Sequence, residues 1–83
     1  MDINVIKQQI ESLKKGDTVA IPILITALSI PALESVYRDI TDALILFIDN
    51  NPDQKAFVQI ILDSSTLDKE GELAKELLGK LNS

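Results

Sequence analysis

Apolar positions along this chain recur at three- and four-residue spacing and almost nowhere alternate. That periodicity predicts helices and no strand. Ile3, Ile6, Ile10 and Leu13 form the first stripe, with Asp2 ahead of it as an N-cap. Lys14 and Lys15 suit the negative end of that helix's dipole, and Gly16 suits the left-handed residue beyond it. A second helix starts after Asp17 or Thr18 and ends before Ser29-Ile30-Pro31, because a residue preceding proline is pushed out of the helical region. Pro22 belongs in its first turn or at a kink. The third helix carries Leu33, Val36, Tyr37, Ile40, Ala43, Leu44, Phe47 and Ile48 on its inner face.

Asn51-Pro52-Asp53 then reads as an N-cap, a first-turn proline and an acid near the positive dipole end. The fourth helix is expected to bury Ala56, Phe57, Ile60, Ile61 and Leu62. Ser65 with Asp68 three residues on resembles a capping arrangement, and a fifth helix follows with Leu67, Leu73, Ala74, Leu77, Leu78 and Leu81. The expectation is one all-α domain over residues 1–83, with helices at about 2–15, 18–28, 32–49, 52–63 and 66–81.

Sliding the chain by 34 residues superposes two of these helices and two turns. Ile23 meets Phe57, Leu24 meets Val58, Leu28 meets Leu62, and Ser29 meets Asp63. Beyond the turn, Ile40 meets Ala74, Ala43-Leu44 meet Leu77-Leu78, and Phe47 meets Leu81. In the other direction Ile6, Ile10 and Leu13 fall under Ile40, Leu44 and Phe47. The chain divides into half a repeat followed by two whole ones.

Ile21-Pro22-Ile23-Leu24, Ala27-Leu28, Val36-Tyr37, Ile40, Ala43-Leu44 and Phe47 together resemble a HEAT-type repeat. That family pairs a proline-kinked helix with a second helix of the form V-R-x-x-A-x-x-A-L-x-x-L. Here Tyr37 stands at the usual arginine with Arg38 one place late, Ile40 replaces an alanine, and Gly71 takes the arginine position of the last repeat. The likeness spans Thr18 to Asn82 loosely. It implies a short right-handed α-α solenoid that binds a partner and performs no chemistry of its own. A compact antiparallel bundle is the alternative architecture.

One segment stands out within the third helix. Ala43-Leu44-Ile45-Leu46-Phe47-Ile48 is apolar all round, whereas its repeat partners are partly polar, such as Ser12 and Lys80 beneath Leu46. Either flanking helices cover it, as they cover the middle unit of any stack, or it leaves an exposed strip for a dimer or partner.

Composition narrows the function. Eighty-three residues with 46% apolar and 25% charged side chains make one small globular unit. Eight basic residues against 13 acidic ones, with a single arginine, provide no phosphate-binding footprint, so nucleic acid is not an expected partner. There is no Cys and no His, which removes thiolate chemistry, the commonest general base and the commonest transition-metal ligand. The uncharged run Thr18 to Leu33 is 16 residues, interrupted by Pro22 and Pro31. That is shorter than the roughly 20 a membrane-crossing helix needs. Lys7, Lys14 and Lys15 ahead of it are balanced by Asp2, Glu11 and Asp17, unlike a secretory leader. A cytoplasmic protein is expected.

Candidate chemistry fails on inspection. Asp49, Asn51 and Asp53 begin like a calcium loop, but Gln54 stands where glycine belongs and Ile60 where glutamate belongs. Asp39 and Asp42 share a helical face with no third group to make them an acid/base pair or a metal site. Neither an enzyme nor a cofactor is expected. The expected function is a small acidic adaptor or regulatory module that binds another protein, basic in character, through Tyr37, Arg38, Asp42, Ile45 and Leu46. So thin a core leaves self-association open. An immunity protein that neutralises a toxin or bacteriocin by binding is the alternative, and liposome binding would mark a third, membrane-surface reading.

Overall fold

A computed structural model describes every residue from Met1 to Ser83. The chain is all-helical, with α1 (Ile3–Lys14), α2 (Ala20–Ala27), α3 (Tyr37–Asn50), α4 (Lys55–Ser64) and α5 (Glu72–Leu81). Local chemistry accounts for most of the boundaries. Asp2 Oδ1 accepts the Val5 amide at 2.9 Å and caps α1. Gly16 takes φ +93°, a left-handed value that a side chain would strain, and ends the helix. Asp17 Oδ1 accepts the Val19 amide at 3.1 Å and turns the chain into α2.

Two prolines start helices in a tighter winding than expected. Pro31–Val36 forms a 3-10 helix before α3, and Pro52–Gln54 a shorter one before α4. In a three-residue period, Leu33 and Val36 point the same way, and both are buried. The Tyr37 hydroxyl donates to the Ile30 carbonyl at 2.5 Å and fastens this segment to the end of α2.

Three sequence expectations need correction. The fifth helix begins at Glu72, not near residue 66. Ser65 Oγ accepts the Leu67 amide at 3.3 Å and Asp68 Oδ1 accepts the Glu70 amide at 2.9 Å, so these side chains hold local turns instead of starting a helix. Asn51 does not cap α4 with its side chain; its Nδ2 donates to the Phe47 carbonyl at 3.0 Å and closes the end of α3. The third correction concerns α4, which buries Val58 and Leu62 and leaves Ala56, Phe57 and Ile60 exposed.

The molecule measures 30 × 29 × 19 Å, two helices thick. In one layer α3 lies between α1 and α5; in the other α2 lies beside α4. Ile6, Leu24, Ile40, Leu44 and Ile48 meet between the layers, fully covered, within a single core cluster. The apolar run of the third helix is therefore mostly core: Leu44, Phe47 and Ile48 are buried and Ile45 is half-buried, and only Leu46 stays exposed, at 51%. Each fully covered aliphatic side chain contributes about 1.5–3 kcal/mol, which is why the middle helix can lack a polar stripe. Thr41 is the one buried polar residue, and its hydroxyl has no partner.

Candidate functional site

Two surfaces have the character of binding sites, one on each layer. The first is a cleft of about 490 Å³ between α1 and α3, lined by Lys7, Ile10, Lys14, Asp39, Asp42 and Leu46 among others. Helical geometry explains why it opens outward. Ile40, Leu44 and Ile48 share the face of α3 turned to α2, so Asp39, Asp42 and Leu46 occupy the far side. Ile10, Ala43 and Leu46 form an apolar floor. A second hollow continues it past Leu13, Lys15 and Gly16 toward Asn50 and Asn51. The C-terminal ends of α1 and α3 meet there, so the two helices run in the same direction.

Charge divides the cleft walls. Lys7, Lys14 and Glu11 stand on the α1 wall, which is net basic, and Asp39 and Asp42 on the α3 wall. Lys14 lies 3.4 Å from Glu11, and Asp42 accepts from Arg38 Nε at 3.0 Å. Lys7 and Asp39 engage no charged group within the chain.

The opposite edge of α3 is tied to α5. Arg38 Nη1 and Nη2 donate to the two Glu76 carboxylate oxygens at 2.9 and 3.2 Å, a forked pair, and Lys80 Nζ lies 2.8 Å from Asp49. The bond to Glu76 is the chief reason that the Arg38 guanidinium holds its proton even more firmly than usual, with the Asp42 charge adding to it. These groups are solvent-exposed and act as a clasp of modest strength.

The second surface lies on the other layer. Phe57 is 40% exposed and Ile60 64% exposed, on the edge of α4 facing away from the core. Beside it, Val19 just ahead of α2 is 69% exposed, and Pro22 and Thr26 on the helix are exposed as well. The exposed charges at the margins include Asp17, Asp53 and Asp63, while Lys55 is turned to the Ser83 carbonyl at 2.8 Å.

The structure places the five residues singled out in the sequence in different surroundings. Tyr37 is half-buried at the bend before α3, and Arg38 is clasped by Glu76 and Asp42. Ile45 is half-buried against the core. Arg38 meets Asp42 in an ion pair, and Asp42 meets Leu46 in the α1–α3 cleft. Sequence reasoning missed Lys7 and Asp39 as cleft residues, and Phe57 and Ile60 as surface. A signal for the last existed: the 34-residue offset sets Ala56 beneath Pro22 and Ile60 beneath Thr26, which are outward positions of α2.

No three His, Cys, Asp or Glu side chains lie close enough to hold a metal ion. No single helix is long and apolar enough to cross a membrane; α2 and the segment Pro31–Asn50 reach that composition only together, bent by 113°. Comparison with known proteins finds no matching family model, no matching curated protein and no matching solved structure.

Proposed function

We propose that this chain is a small HEAT-like module without catalytic activity, which works by binding another protein through the outer face of α2 and α4. The observation that carries the reading is the exposure of Phe57 and Ile60 beside the uncharged edge of α2. Large apolar side chains held in water on regular helices are a costly arrangement unless a partner covers them. The side-by-side order of α1, α3 and α5, with α2 beside α4, supports the repeat-like build over a closed bundle.

The acidic margins select the partner's chemistry. Asp17 and Asp53 stand at one end of the apolar stripe and Asp63 at the other. The matching surface presents an apolar ridge flanked by Lys or Arg. Such charges at the rim speed encounter more than they deepen affinity.

The test is capture from the native cell by the full chain, compared with Ile60→Glu and with Asp53→Lys/Asp63→Lys. A protein retained by the native chain, lost with Ile60→Glu, and bound more slowly by the aspartate variant is the expected result. A partner held equally by all three, each shown folded by circular dichroism, would remove this face from the function.

A further inference from the structure

The geometry points to a second copy of this chain as the occupant of the α1–α3 cleft, related by a two-fold axis that runs along the cleft. This surface lies on the layer opposite α2 and α4, so the inference goes beyond the partner-binding reading and stands apart from it.

The pairing follows from the order of charges along the walls. Because α1 and α3 run in the same direction, Lys7 on one wall lies toward the Asp39 end of the other. A two-fold axis along the cleft sets the α1 of one copy over the α3 of its partner, at the same height and in the same direction. Lys7 of each copy then faces Asp39 of the other, and Lys14 faces the region of Asp42 and Leu46. A two-fold axis across the cleft would instead set α1 on α1 and α3 on α3, bringing the wholly acidic α3 wall against itself, and like-charge juxtaposition of that kind costs several kcal/mol. The acidic α3 wall therefore favours the axis along the cleft.

Three further observations agree with that choice. Lys7 and Asp39 have no ion-pair partner within the chain, so both are free to pair across a dimer. Glu11 and Asp42, which would otherwise repel across the same axis, are already engaged by Lys14 and Arg38. Between the walls, the apolar floor meets itself, with the half-exposed Leu46 near its centre. An isologous contact of this kind is the commonest oligomeric arrangement. Such a dimer turns the α2–α4 layers outward on both sides and makes the assembly bivalent for any partner they bind.

Sedimentation equilibrium of the full chain tests this by charge exchange. The native chain is expected to dimerise. Lys7→Glu and Asp39→Lys should each weaken the dimer about tenfold or more, since each introduces two like-charge contacts across the axis. Combining the two in one chain reverses both walls together and should restore most of the association. Leu46→Glu should leave a folded monomer. A native chain that stays monomeric up to about 0.1 mM, or a double variant no better than the single ones, would overturn the proposal. A monomeric chain that instead captures a different protein in a Leu46-dependent way would assign the cleft to that protein. Loss of the dimer in these variants with capture unchanged, or the reverse with Ile60→Glu, separates this interface from the α2–α4 site.

Discussion

Helix α3 keeps the inner face its sequence suggests, and α4 does not. Ala43 to Ile48 on α3 is the most continuous apolar run in the chain, with Leu44, Phe47 and Ile48 expected inside. On α4, Phe57, Ile60 and Ile61 look like one ordinary inner stripe. Yet Leu44 and Ile48 are completely covered while Ile60 stands 64% exposed. Position in the layers accounts for the contrast. α3 has α1 and α5 on its flanks and α2 behind it, whereas the body of α4 rests mainly on α2 and α5. A helix with cover on three sides can bury nearly its whole circumference; one at a margin keeps an open edge whatever residues occupy it.

The largest effect expected from that contrast is on stability. Leu44→Ala should lower the unfolding free energy by about 3 kcal/mol, within the range for deleting a buried aliphatic side chain. Ile60→Ala should change it by no more than about 0.5 kcal/mol. Urea denaturation of both variants measures the difference directly. Equal losses would mean that α4 packs its outer edge after all, and would remove the proposed binding face with it.

A smaller effect tests how complete the cover of α3 is. Thr41 lies on the covered side of this helix with an unpartnered hydroxyl. Replacing it with the similarly shaped valine should raise stability by about 1 kcal/mol, because a buried polar group without a hydrogen bond is destabilising. A loss of stability in Thr41→Val would show that the hydroxyl has a partner, most simply a bound water.

The smallest effect concerns the clasp between α3 and α5. Arg38→Gln should reduce stability slightly in dilute buffer and hardly at all at high salt, because the exposed Glu76 and Asp42 contacts are screened. Thermal melts at two ionic strengths show this. The raised pKa of Arg38 means that its bound proton favours the folded state at all ordinary pH. The contribution would be lost only as alkali strips the guanidinium, so no pH dependence from this group is expected near neutrality.

Much of the fold was legible before any tertiary contact was known. Asp2 caps α1 through its side chain, Gly16 takes the left-handed turn, and Pro31 and Pro52 open the segments that follow them. Ile6, Ile10 and Leu13 on α1, and Ile40, Leu44 and Phe47 on α3, are buried as their helical spacing predicts. The candidate surfaces were less legible. Asp42 and Leu46 do share a cleft, but the opposing Lys7 and Asp39 could be matched only once α1 was seen to lie alongside α3. Arg38, exposed by pattern, is drawn into a pair with Glu76, 38 residues away along the chain.

Local chemistry determined both ends of α1 and the openings of the segments before α3 and α4, since caps, prolines and a positive-φ glycine act over three or four bonded neighbours. Periodicity determined the inner face of the helices that pack on it, as in α1 and α3. Tertiary structure alone decided which apolar edge would be left in water, because Val58 and Phe57 are neighbours in sequence and equally apolar. The rotation that buries one exposes the other, and it is set by where α2 and α5 stand. Layer position also decided the fate of the apolar run on α3, for burial depends on what surrounds a helix and the helix's own sequence cannot specify that.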